Sequence, residues 1–315
     1  MKIASIIAEY NPFHRGHAYQ INKIKEDYTD FIVVIMSGSF VQRGEPAIIN
    51  KYERARVAID NGASLVLELP LPYATSNAEF FSLGAVNILN SMGIVDRLYF
   101  GSEDDVEVLR SLQEKINKNF DEEKLKKYLS EGKSFIRSRE LAMDFLSPGE
   151  KEILKKPNNI LGLEYLKSLE KLNSSIEAYS IKRKNVNHDD DFSLDGFASA
   201  SHIRRLAYEG EDVSDFLPSY DLVVENKLEN YFEIFKYKMV SEKINFKDYF
   251  DYEEGLENRI LENLDAKNFK DLIEKVHSKR HSRSRIKRLI IEILLDIKKD
   301  LIKNSLKEPY TRVLA

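Results

Sequence analysis

The sequence predicts an α/β fold, a doubly wound parallel sheet followed by a C-terminal α-helical domain, on three observations. Four short apolar runs, Lys2–Ala8, Phe31–Met36, Leu65–Leu69 and Arg97–Phe100, read as buried parallel strands. Helical stretches near His17–Glu26, Lys51–Asn61 and Ala78–Met92 alternate with them, which implies right-handed βαβ units with helices on both faces. After about Leu217-Pro218 the chain becomes charged and helical, with few glycines. Two domains are therefore expected, 1–217 and 218–315.

Bulk properties fit this reading. A chain of 315 residues, 43% hydrophobic and 32% charged, can bury a sizeable core and is not disordered. No apolar run approaches the roughly 20 residues that span a bilayer. The first strand begins at residue 2, which leaves no room for a signal peptide, and a cytoplasmic location is expected. Cysteine is absent, which excludes a disulfide framework, a thiolate nucleophile and a Cys-ligated zinc.

In a doubly wound sheet, ligands bind at the carboxyl ends of the strands. Four loops fall there: Asn11–His17, Ser37-Gly38-Ser39, Pro70–Ser76 and Gly101-Ser102. The first holds the most informative stretch, His14-Arg15-Gly16-His17, between a strand and a helix. Unpaired backbone N–H groups and a positive dipole at that helix start suit an anion such as a triphosphate. Gly16 allows close backbone approach, and Asn11-Pro12 shapes the turn leading in. Further on, Asp104 to about Leu172 reads as mostly helical, broken at Pro148-Gly149, with Pro157-Asn158-Asn159 preceding a helix over Ile160–Leu172. A short strand near Ile176–Arg183 returns to the sheet, and Ser199-Ala200-Ser201 opens another helix. No GxxxxGK[ST] string occurs, so there is no P-loop. The acidic run Asp189-Asp190-Asp191 reads as a solvated loop and not as a metal site.

The formal net charge of -4 would disfavour a nucleic-acid partner, yet the charge is uneven. From His277 to Arg288 the chain carries six Lys/Arg, two His and no acid. Such density points to phosphate binding, and Lys279, Arg280, Arg283, Arg285, Lys287 and Arg288 are the expected RNA contacts. Lys51, Arg54 and Arg56 read by default as a solvated helix face, with pyrophosphate or RNA backbone as the functional alternative. Tyr231, Phe232, Phe235 and Tyr237 are expected in the core.

His14-x-Gly16-His17 resembles the HxGH signature of the HIGH nucleotidyltransferase superfamily, whose members attack the α-phosphate of ATP and release pyrophosphate. Ser199-Ala200-Ser201-His202-Ile203-Arg204 resembles its second motif, ISSTxIR, with Ala198, Ala200 and Ser201 departing from the pattern. Longer strings resemble a narrower family, the tRNA(Met) cytidine acetate ligases: Glu9 to His14, Met36 to Ala47, Leu67 to Pro70, Phe100 to Glu103, Pro157 to Gly162 and the Lys279–Arg288 segment. Members of that family usually continue beyond a segment equivalent to Pro309–Ala315.

The resemblance implies a Rossmann-like sheet of the HIGH nucleotidyltransferase type and an enzyme that acetylates N4 of the wobble cytidine of elongator tRNA(Met). It would use acetate and ATP, with Mg²⁺ arriving on the nucleotide, through an acetyl-adenylate. His14 and His17 would stabilise charge on the α-phosphate. The nucleotide set implied around them is Ile7, Glu9, Tyr10, Asn11, Pro12, Phe13, Gly16, Tyr19, Gln20, Gly101, Asn159, Arg183, Ser199, Ser201 and Arg204. For Asn159, its neighbour Asn158 is the alternative. Ser37, Gly38, Ser39 and Arg43 form a candidate acetate pocket, since a small carboxylate needs backbone donors and a cation. Two other readings stand beside this one: an HxGH adenylyltransferase acting on a phosphorylated cofactor precursor, and a non-catalytic RNA-binding protein.

Overall fold

Strands Ala4–Ala8 (β1), Ile32–Ser37 (β2), Phe40–Val41 (β3), Glu45–Pro46 (β4), Leu65–Leu69 (β5), Arg97–Ser102 (β6) and Glu177–Lys182 (β7) make two sheets. The larger is five-stranded and parallel, in the order β5-β2-β1-β6-β7. The smaller is the antiparallel hairpin β3–β4. The computed structural model describes residues 1–29, 31–133, 135–182 and 196–315, and only the backbone of Phe135 and Ile136. Arg183 and Asp189-Asp190-Asp191 lie outside the described residues.

The strand order reverses between β1 and β6, so a crevice opens past Ala8 and Ser102. All of β2 and nearly all of β1 are buried, as expected of parallel strands covered on both faces. The one polar residue inside β1, Ser5, donates to Arg97 O at 3.0 Å. β6 runs two residues beyond the expected end at Phe100. Parallel pairing of Gly101 with Ile181 and Ser102 with Lys182 extends it, a partner that local sequence does not reveal.

The connecting helices are Arg15–Asp27 (α1), Lys51–Asp60 (α2), Leu71–Ala74 (α3), Ala78–Met92 (α4), Val106–Asn119 (α5), Glu122–Ser130 (α6), Phe135–Ala142 (α7), Pro148–Ile153 (α8), Pro157–Lys171 (α9) and Ala200–Glu209 (α10). Asn77 caps α4, accepting from Phe80 N–H at 3.1 Å, and Gly93 ends it in the left-handed conformation. α9 starts three residues before the expected Ile160. Pro157 sits in its first turn, where a missing N–H costs nothing. Asn158 and Asn159 are thus helical.

Beyond Leu217 come Phe232–Ser241 (α11), Leu256–Leu261 (α12), Phe269–Val276 (α13), Arg283–Leu295 (α14) and Lys299–Ser305 (α15). One apolar core spans Phe232 to Ile293, including Phe235, Phe269, Leu289 and Ile290. Ile297, Ile302 and Leu306 instead pack into the core on one side of the large sheet, and Leu314 into the core on the other. After about Asp296 the chain thus packs on the sheet and no longer on the helical core. Tyr237, expected in the core, is 72% exposed. No helix among the described residues is long and apolar enough to cross a membrane.

The hairpin joins the two parts. Gly44 has φ 74°, and a Cβ there would lie 2.5 Å from Arg288 N and 2.6 Å from Lys287 C, both backbone atoms of α14. Gly44→Ala is expected to lower unfolding stability in urea by about 2–4 kcal/mol, combining left-handed strain with a collision the backbone cannot relieve. Gly210→Ala is the control, with φ 82° and open space around it. It carries the conformational part alone, about 1–2 kcal/mol. Equal losses in the two variants would mean that the hairpin is not seated on α14.

Candidate functional site

The turn between β1 and α1 shapes both histidines. His14 is the N-cap of α1, and its Nδ1 accepts from Gly16 N–H at 3.1 Å. His17 reaches back, its Nδ1 accepting from His14 N–H at 3.2 Å. This is a capping box in which two imidazoles replace the usual Ser and Glu. The rings stack, with centroids 3.7 Å apart and planes 21° apart. Because both Nδ1 atoms accept, each neutral ring carries its proton on Nε2. Two stacked imidazoles thus sit at the positive end of a helix dipole. A Cβ at Gly16 would lie 2.9 Å from the His14 ring, so a side chain there would force that ring to shift.

Beneath the turn, Tyr10 and Phe13 are buried and pack edge-on at 4.7 Å. Tyr10 also packs against His17 at 4.7 Å. Asn11 Oδ1 accepts from Ile48 N–H at 2.8 Å, and Phe13 O accepts from the Tyr220 hydroxyl at 2.6 Å. The loop is thereby held from both sides.

A second anchor was not legible as such. Arg54, expected on a solvated face, is completely buried. Its Nη1 donates to Glu9 O at 2.6 Å and Ser37 O at 3.0 Å, its Nη2 to Gly38 O, and its Nε to Ile49 O at 3.3 Å. One guanidinium therefore ties together the carbonyls that end β1 and β2, groups that a strand end leaves unpaired. Burial lowers its pKa to about 10, so it stays charged near neutrality. Of its neighbours, Lys51 pairs with Glu68 at 2.7 Å, and Arg56 is exposed beside Glu53 and Asp60.

These elements surround a cavity of about 790 Å³ at the topological switch. Of the expected nucleotide set, Ile7, Glu9, Tyr10, Asn11, His14, Gly16, His17, Tyr19, Gln20, Gly101, Ser199, Ser201 and Arg204 line it. Pro12 and Phe13 are buried under the turn and do not. Asn159 is also off the cavity. It accepts from the N–H groups of Glu103 and Asp104 and donates to Asp104 Oδ2 at 2.7 Å, whereas Asn158 is a lining residue. Ser37 is buried and Gly38 is held by Arg54, while Ser39 is exposed. Of the expected acetate loop only Arg43 reaches the cavity.

The walls are cationic. Arg43, Lys155, Lys182, Arg204 and Arg288 line the cavity, and Glu9 is the one carboxylate among the described lining residues. Lys155 and Lys182 went unnoticed in the sequence, although Lys182 adjoins the expected Arg183 at the end of β7. Burial pushes the Glu9 carboxyl up, opposed by Arg43, Arg204 and the N–H of Gln42, which donates to its Oε1 at 2.9 Å. Ser199 caps α10, accepting from His202 N–H at 3.2 Å, with the Ser201 hydroxyl 3.0 Å away. Arg204 Nη1 donates to Asn11 O at 2.7 Å, which brings the second motif onto the first.

The basic segment does not form a uniformly open surface. Arg280 and Arg285 pair with Glu253, and Arg283 with Glu274 at 2.6 Å. Lys287 pairs with Glu45, and Arg288 is buried in a bidentate pair with Asp251, both contacts 2.7 Å. Lys279 is exposed. The neutralising acids come from the loop before α12, from α13 and from the hairpin, so a scan of Lys279–Arg288 alone cannot see them.

Comparison with known proteins shows the family. The family model described as HIGH Nucleotidyl Transferase matches residues 1–315. A tRNA(Met) cytidine acetate ligase of Caldicellulosiruptor saccharolyticus is 42% identical, over 90% of this chain and 74% of its own. One from Clostridium novyi is 41% identical, over all of this chain and 84% of its own. A crystal structure of Thermotoga maritima TmcAL bound with alpha-thio ATP superposes with a TM-score of 0.87 at 33% identity, covering 99% of this chain and 80% of that one.

Proposed function

This chain belongs to the HIGH nucleotidyl transferase family, within the group of tRNA(Met) cytidine acetate ligases, and from that premise we propose that it is an ATP-dependent acetate ligase acting on elongator tRNA(Met). The observation that carries the proposal is the pair of stacked imidazoles, His14 and His17, at the start of α1, lining a cavity with five cationic residues in its walls.

ATP occupies the cavity with its phosphates against His14, His17 and Arg204. An oxygen of acetate, steered by Arg43, attacks the α-phosphorus. The bond to the β-phosphate oxygen breaks and pyrophosphate leaves with that electron pair. Charge building on the α-phosphate is met by the two imidazole N–H groups and the dipole of α1, an electrostatic role that needs no protein nucleophile. The exocyclic amine of the wobble cytidine then attacks the acetyl carbonyl. The C–O bond to AMP breaks, and the amine proton leaves to solvent, giving N4-acetylcytidine. Among the described residues no three His, Asp or Glu side chains converge to hold a metal ion. A cytoplasmic setting suits a tRNA substrate.

The test is exchange of labelled pyrophosphate into ATP, followed by transfer of labelled acetate to tRNA. Acetate-dependent exchange with tRNA labelling is expected. Exchange without acetate would favour a plain adenylyltransferase, and tRNA binding without exchange a non-catalytic RNA-binding protein. Replacing Arg283 and Arg285 together by Gln is expected to weaken tRNA labelling at least tenfold at moderate salt, with a shallower salt dependence. Exchange should hold within about twofold, because neither residue lines the cavity. Equal loss in both assays would contradict this division of labour.

A further inference from the structure

The hairpin touches both the cavity and the helical unit, and one carboxylate on it is shared between them. Glu45 takes Lys287 Nζ of α14 on Oε1, while its Oε2 lies 3.7 Å from Arg204 Nη2 of α10. Arg204 donates through its other terminal nitrogen to Asn11 O, three residues ahead of His14. All three side chains are largely sheltered, with exposures of 9% for Arg204, 21% for Glu45 and 27% for Lys287, so solvent screens them weakly. Burial alone would raise the Glu45 carboxyl, but Lys287, Arg204 and Arg43 more than offset it and hold it below the usual range. It is a full anion at neutral pH, 3.7 Å from a cation of the cavity wall.

We propose that Glu45 is a positioning residue for the nucleotide, and that Lys287 tunes it. The inference rests on the function above, in which Arg204 meets the polyphosphate. With Lys287 in place, the Glu45 charge is divided among Lys287, Arg204 and Arg43, and Arg204 stays oriented on Asn11 O with most of its field directed at the cavity. Without Lys287, Arg43 and Arg204 alone face the anion, and the larger share that falls on Arg204 draws it off the Asn11 carbonyl and competes with phosphate for it. Lys287 was expected to touch RNA. It acts here on ATP, and only through Glu45.

ATP affinity measured by calorimetry, with pyrophosphate exchange as a second readout, tests this in the full chain. Lys287→Met is expected to weaken ATP binding about tenfold. Lys287→Arg, which keeps the cation, should stay within about threefold of the parent. In a Glu45→Gln background, the further change Lys287→Met should alter ATP affinity less than about twofold. Thermal melts identify any variant that merely unfolds, and the conservative Lys287→Arg comparison does not depend on them. The same fold-change in both backgrounds would overturn the proposal, as would a Lys287→Met variant that binds ATP normally and fails only in tRNA labelling. Because ATP affinity is read without acetate or tRNA, failure of the ligase reading appears separately, as a parent chain that binds ATP but shows no acetate-dependent exchange.

Discussion

His17→Ala lowers acetate-dependent pyrophosphate exchange by about 10²–10³-fold, the loss expected when one preorganised donor to a developing oxyanion is removed. The fall is expected in kcat more than in the KM for ATP, because in the proposed reaction the imidazole N–H meets charge that grows as acetate attacks. His17 has a second task, since its Nδ1 accepts the His14 N–H and closes the capping box. Losing that contact costs about 1 kcal/mol of stability, against about 2.7–4 kcal/mol for the catalytic effect. Melting temperature and exchange rate should therefore part company: a fall of a few degrees beside a fall of two to three decades. Unchanged exchange, or a loss that merely follows unfolding at the assay temperature, would remove His17 from the chemistry.

The largest effect on stability is expected at Arg54. Arg54→Met leaves the carbonyls of Glu9, Ser37, Gly38 and Ile49 without their shared donor and removes a buried cation that interacts with Glu9. Breaking a buried charged network in this way costs about 3–5 kcal/mol. Arg54→Lys should recover little of it, because one ammonium cannot reproduce a planar fork that reaches four oxygens. Urea unfolding checks both variants, and a midpoint within error of the parent for either would mean that the strand ends hold themselves.

The parallel sheet could be read in the chain because its strands are covered on both faces and so become uninterrupted apolar runs. Leu65–Leu69 and Ala78–Met92 emerge with their expected bounds. The hairpin Phe40–Pro46 could not be read, since its strands are two residues long and carry a proline at their edge. HxGH announced the helix start, but the use of both imidazoles as mutual caps depends on backbone geometry that no spacing encodes. Arg54 was misread for a related reason. On α2 it stands among Lys51, Glu53 and Arg56, and a charged helix face normally meets solvent. Only the packing of α2 against the ends of β1 and β2 turns that one position inward. The ion pairs of the basic segment were hidden for another reason, because Glu45, Asp251, Glu253 and Glu274 are distant or earlier in the chain and adjacent only in space.

The last residues of the chain lie along the outer edge of β5. Leu67 bridges Val313 antiparallel, Val66 N–H donates to Ala315 O at 2.7 Å, and the Thr311 hydroxyl donates to Glu68 O across 243 positions of sequence. During synthesis at about 5–20 residues per second, β5 would therefore wait roughly 10–50 s for the partner that covers its edge. Over that interval the ribosome-bound chain presents an open row of strand N–H and C=O groups, the kind of template on which nascent chains cross-pair. The vulnerable moment for this protein falls between making the sheet and closing its border.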